Sequence, residues 1–132
     1  MGPGIALAFL VSTKVLLVED DPNNLKALTI YLNLMGLEVE QAQDGLEALQ
    51  KLDGGRFHVV VSDIRMPGLD GVELVKRIRA NLEGIPIVLM SGDPTAPIET
   101  NAQAEVLQVL TKPFLPSALL AIIRRAVTEN ER

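Results

Sequence analysis

Short apolar runs alternate along this chain with longer stretches in which apolar residues recur every three or four positions. Val15-Leu16-Leu17-Val18 is continuously apolar and predicts a strand over 14–18 that is covered on both faces. Leu25, Leu28, Leu32 and Met35 follow at helical spacing. They predict a helix over 22–35 that opens on Pro22, suited to a first helical turn, and stops at Gly36. Over 37–42, polar Glu38 and Glu40 alternate with Val39 and Ala42, the pattern of a half-exposed edge strand. Asp44-Gly45 opens a second helix carrying Leu46, Ala48, Leu49 and Leu52, which ends at Gly54-Gly55. The run 57–62 is the most apolar and predicts a central strand. After the Pro67-Gly68 turn, Asp70 caps a third helix whose buried stripe is Val72, Leu74, Val75 and Ile78. A strand over 85–90 comes next. Pro94 and Pro97 restrict the following helix to a short stretch, 98–105, because proline is tolerated only in a first turn. A fifth strand over 106–110 and a helix over 116–128, with Leu119, Leu120, Ile123 and Val127 on one face, complete the pattern. Strands alternating with helical segments predict βα units around a parallel sheet, a (βα)5 sandwich of the α/β class.

Length and composition narrow this picture. A chain of 132 residues is one domain by size and can bury a real core without staples. Cysteine is absent, which removes disulfides and thiolate metal sites and suits a cytoplasmic setting; a single histidine removes multi-histidine sites. The net charge of −5 argues against direct nucleic-acid binding by this chain. Residues 5–11 are apolar but far shorter than the roughly 20 residues of a membrane span, and the uncharged start does not read as a signal peptide. Residues 1–13 are therefore expected to be a tail, either a linker remnant or an extension that packs on the domain, with the folded unit at 14–132.

The candidate chemistry lies where the predicted strands end. The first runs into Glu19-Asp20-Asp21, the third into Asp63, the fourth into Ser91 and the fifth into Lys112-Pro113. Ligands of open parallel sheets bind outside the carboxyl ends of the strands, where strand order reverses, so these four endings should converge. Three carboxylates, Glu19, Asp20 and Asp63, set against Lys112 leave an excess of negative charge that a divalent cation would cancel. Oxygen donors without imidazole or thiolate favour a hard ion, Mg2+ with Mn2+ as a substitute. Carboxylates serve as phosphoryl acceptors. Asp63 is thus the expected nucleophile, with Lys112 and the Ser91 hydroxyl as contacts for phosphoryl oxygens. His58 lies at the other end of its strand and reads as structural, so the phosphoryl donor must come from outside. Asp21 is most simply a helix N-cap, and Met66 and Met90 are packing residues.

Val18-Glu19-Asp20-Asp21-Pro22, Asp63-Ile64-Arg65-Met66-Pro67-Gly68-Leu69-Asp70-Gly71, Met90-Ser91-Gly92 and Thr111-Lys112-Pro113-Phe114, in that order, resemble the receiver domain of two-component response regulators, over 14 to about 128. The resemblance implies a flavodoxin-like three-layer sandwich with strand order 2-1-3-4-5. It also implies that Asp63 is phosphorylated from the phosphohistidine of a sensor kinase or a histidine phosphotransfer protein, which would dock on the first and fifth helices. By the same resemblance Asp20 is a direct Mg2+ ligand, Glu19 acts largely through water, the Arg65 backbone carbonyl is a further ligand, and the Lys112-Pro113 bond is cis. The expected role is a signalling switch rather than a metabolic enzyme, monomeric or weakly dimeric and not in a membrane.

Two positions depart from the family pattern. Val109 stands three residues before Lys112, where the family usually carries a phenylalanine or tyrosine, and the usual glycine before the fifth strand is missing. Val109 is the feature favouring an alternative, a phosphate-independent interaction module. A metal-dependent phosphohydrolase is a third reading, disfavoured by Arg65 where a second acid would help, and a flavin site lacks its phosphate loop. Arg65 and Asp93, each two residues beyond a site residue, form a possible water gate or are unrelated loop charges.

Overall fold

The computed structural model describes residues 12–81, 84–92, 106 and 108–130. Five strands form one parallel sheet: β1 (Lys14–Val18), β2 (Glu38–Ala42), β3 (Val59–Asp63), β4 (Ile87–Ser91) and β5 (Gln108–Thr111), in the order β2-β1-β3-β4-β5. Four helices are described: α1 (Pro22–Leu34), α2 (Gly45–Leu52), α3 (Gly71–Asn81) and α4 (Pro116–Asn130). This is the flavodoxin-like arrangement, with β3 central and β2 at an edge as the apolar pattern requires. The expected helix over 98–105, the tail up to residue 11 and Asp93 lie outside the described residues.

Alternation along the strands splits the core into two layers. Val15, Leu17, Val59, Val61, Val88 and Met90 point to one face and meet Leu25 and Leu32 of α1 and Leu119 and Ile123 of α4. Leu16, Val18, Val60, Ile87 and Leu89 point to the other and meet Ala48 and Leu52 of α2 and Leu74, Val75 and Ile78 of α3. Each fully buried aliphatic side chain contributes about 1.5–3 kcal/mol relative to exposure, so these layers dominate the fold's stability.

Three aspartates start three helices. Asp21 accepts from the Asn23 N–H at 3.0 Å, Asp44 from the Glu47 N–H at 2.8 Å and Asp70 from the Glu73 N–H at 2.9 Å. Glu47 reaches back past the cap to accept from the Gln43 N–H at 3.1 Å, satisfying the backbone just before α2. At the far end of α1, Gly36 adopts φ +91°, the left-handed conformation that ends a helix at low cost.

Several boundaries differ from expectation. The central strand begins at Val59 rather than at 57, because the His58 ring intervenes: the His58 N–H donates to the Lys14 carbonyl, but the Lys14 N–H donates to Nδ1 of the ring, both at 2.9 Å. A side chain thus replaces one rung of the ladder. The fourth strand is Ile87–Ser91 rather than 85–90 and the fifth Gln108–Thr111 rather than 106–110. Both shift because pairing continues to the site, where Ser91 opposes Thr111. The last helix runs on to Asn130, two residues beyond the expected end.

Candidate functional site

Register brings the four strand endings together. Val18 pairs with Ser62, Asp63 with Met90 and Ser91 with Thr111, so the residues that carry chemistry emerge at one level of the sheet. Backbone bonds continue this alignment beyond the strands. The Glu19 N–H donates to Ala42 O at 3.0 Å, the Ile64 N–H to Met90 O at 3.0 Å and the Lys112 N–H to Ser91 O at 2.7 Å. The peptide between Lys112 and Pro113 is cis, as the motif implied.

Lys112 is the centre of the cluster. Its Nζ donates to Glu19 Oε1 at 3.0 Å and to Asp63 Oδ2 at 3.2 Å, joining the ends of β1, β3 and β5. Glu19 is fully buried, and its second oxygen, Oε2, has no hydrogen-bond partner among the described residues. Such an atom costs on the order of 1–3 kcal/mol or more when it carries charge, so it needs either a proton or a cation. Burial first, and the neighbouring Asp63 carboxylate next, hold the Glu19 pKa above its usual value of 4.5 against the opposing pull of Lys112. For Lys112 burial pulls downward, but hydrogen bonding to Glu19 and the charge of Asp63 outweigh it and the pKa lies above 10.5. The two shifts agree: the cluster holds more negative charge than one ammonium compensates.

Carboxylate oxygens of Glu19, Asp20 and Asp63 lie within 4.8 Å of one another, with Asp20 exposed and the other two buried. An oxygen-only cluster of this charge, open on the Asp20 side and containing a buried oxygen without a partner, fits a hard divalent cation. Asp63 also faces an open cavity of about 300 Å³ lined by Ile64, Arg65, Ser91, Gly92 and Lys112. Glu19, Asp20, Asp63, Ser91, Arg65 and Lys112 are therefore all brought to one end of the sheet. The proposed partner of Arg65, Asp93, is outside the described residues.

Two glycines of the site were not singled out by the sequence. A Cβ on Gly71 would stand 2.4 Å from the Asp63 carbonyl oxygen and 2.8 Å from Ile64 Cα. The Gly71 N–H also donates to Ile64 O at 2.8 Å, so the start of α3 is seated directly on the backbone of Asp63. A Cβ on Gly45 would meet Leu69 O at 2.7 Å, holding the other side of the 64–70 loop against α2. Their signal was available: in both places a capping aspartate is followed at once by glycine, in Asp44-Gly45 and Asp70-Gly71.

Fold and site together define a doubly wound α/β domain with a carboxylate–lysine cluster at its switch point. Residues 15–124 match the response regulator receiver domain. Over 122 residues the chain is 39% identical to the C4-dicarboxylate transport transcriptional regulatory protein DctD of Pseudomonas aeruginosa, covering 90% of this chain and 26% of that protein. It is 36% identical over 118 residues to the transcriptional regulatory protein FixJ of Bradyrhizobium diazoefficiens, covering 89% of this chain and 58% of FixJ. The response regulator TrrA of Thermotoga maritima, solved in complex with Mg2+-BeF, superposes with a TM-score of 0.80 at 27% identity, over 86% of this chain and 98% of TrrA. The chain belongs to the response regulator receiver domain family. It spans only part of the length of these two regulators.

Proposed function

We propose that this domain, residues 14–132, works in the cytoplasm and accepts a phosphoryl group on Asp63 from the phosphohistidine of a sensor kinase or a histidine phosphotransfer protein, and that the modification switches an interaction surface. The observation that carries this reading is the Lys112 ammonium held between Glu19 and Asp63 beside a buried carboxylate oxygen without a partner. In the transfer an Asp63 Oδ–phosphorus bond forms as the donor's nitrogen–phosphorus bond breaks, and the leaving imidazole keeps the electron pair and takes up a proton. Lys112 steadies one phosphoryl oxygen by charge and the Ser91 hydroxyl donates to another. Lys112 also prevents repulsion between Glu19 and Asp63 from moving the nucleophile.

The donor set suits Mg2+, or Mn2+ in its place, held by Asp20 and Asp63 directly, by the Arg65 carbonyl, and by Glu19 largely through water. When bound, the cation supplies neutralisation of phosphoryl oxygen charge. Gly71 keeps the Asp63 backbone in place, and the open cavity beside Arg65 and Ser91 leaves room for the donor's approach.

Intact mass after incubation with acetyl phosphate and Mg2+ tests this reading. A phosphoryl adduct on the native chain that is absent from Asp63→Asn and from a metal-free control is expected. No adduct on a folded protein that binds Mg2+ would favour the phosphate-independent interaction module, the reading to which Val109 points.

A further inference from the structure

Five large apolar side chains are strongly exposed among the described residues, and three of them, Ile30 (50%), Leu34 (76%) and Met35 (41%), cluster at the end of α1. Ile30 and Leu34 are one turn apart and share the face turned away from the sheet, since Leu25 and Leu32 occupy the buried face. An apolar helix stripe on the solvent side calls for a cover.

The chain itself offers one. Residues 5–11, Ile-Ala-Leu-Ala-Phe-Leu-Val, are uninterruptedly apolar and lie outside the described residues. The point at which they join the fold is fixed: the Thr13 carbonyl accepts from the Glu38 N–H at 2.8 Å. Glu38 follows Met35 by three residues, so the tail leaves the sheet within about 10 Å of chain from the patch. Seven residues span about 23 Å extended, or about 10 Å as a helix, either of which reaches along the last two turns of α1. We propose that residues 5–11 dock on the outer face of α1 at Ile30, Leu34 and Met35. The segment then acts as an added piece of the outer layer and covers the C-terminal half of the helix. The N-terminal half, Asn23 to Ala27, stays open beside Glu19 and Lys112.

The native chain contains no cysteine, so a pair can be introduced cleanly. In the full chain, Ala8→Cys is combined with Asn33→Cys, an exposed position flanking the patch, or with Gln50→Cys, an exposed position on α2 on the other side of the sheet. Under mild oxidation the first pair should close an intramolecular disulfide roughly tenfold faster than the second, because docking raises the local concentration of one thiol at the other. Adding Ile30→Asp and Leu34→Asp, both at solvent-facing positions, should erase the difference while the circular dichroism of the fold is kept. Equal closure rates for the two pairs, or a difference that survives Ile30→Asp and Leu34→Asp and so comes from the tether alone, overturn the proposal. So does a predominantly intermolecular disulfide for the Asn33 pair, which would assign the patch to a second copy.

Discussion

Glu19 is fully buried with one carboxylate oxygen that has no partner among the described residues, and that burial sets the sign of its pH dependence. Its folded pKa is raised above the ordinary 4.5, so the native state holds the proton more tightly than the unfolded chain does. The associated stabilisation is complete below pH 4.5 and is lost as pH rises through the higher folded value. At neutral pH, then, Glu19→Gln should raise the melting temperature of the metal-free protein, because it removes the charge from a buried carboxylate with an unpartnered oxygen. Thermal melts in chelator at pH 7 and pH 4 check this, with the gain shrinking at the lower pH. Lys112 follows the same sign at the alkaline end: its contribution is present below 10.5 and disappears as pH passes its raised folded pKa. At Gly71 the argument is steric. With the Asp63 carbonyl 2.4 Å from the would-be Cβ and backbone on every near side, Gly71→Ala must displace the backbone of Asp63, the proposed phosphoacceptor. A stability loss of about 1–3 kcal/mol should come with slower acetyl-phosphate labelling, measured on protein that is still folded; an unchanged labelling rate would show that the contact is merely structural.

At the scale of elements, helix starts were legible from the sequence because capping is local chemistry. Asp21, Asp44 and Asp70 each accept a backbone N–H two or three residues on, and nothing distant is needed to specify this. Strand ends were less legible because they depend on partners. The His58 ring displaces a rung at the start of β3, and β4 and β5 extend to Ser91 and Thr111 only because each supplies the other's pairing. The N-cap of α2 allows a direct test: Asp44→Ala should cost about 1 kcal/mol, seen as a lower midpoint in urea with an unchanged slope. Gly45 shows why this helix cannot simply be repaired from outside, since its first residue is already in contact with Leu69 of the Asp63 loop.

Over the whole molecule, the convergence of the candidate residues at one end of the sheet was readable but their mutual support was not. Four of the five strands visibly end in a carboxylate, hydroxyl or lysine, and a parallel sheet sends those ends to one side. That Lys112 bridges both acids, that Glu19 Oε2 is left without a partner and that Gly71 bears on Asp63 depend on packing between residues 49 or more positions apart or across a turn. The same distance couples the site to global stability. A cation bound by the acids would tie the end of β1 to the end of β3 and would be released on unfolding, because the unfolded chain does not hold Asp63 near Glu19 and Asp20. Mass action then fixes the response: at a hundredfold excess over its dissociation constant, Mg2+ should stabilise the fold by about 2.7 kcal/mol. The melting temperature should rise with the logarithm of Mg2+ concentration, and the rise should be lost in Asp20→Asn, whose exposed side chain leaves the core untouched. Melts over a Mg2+ series for the native chain and that variant decide the matter: parallel rises in both would place the bound cation away from the three acids.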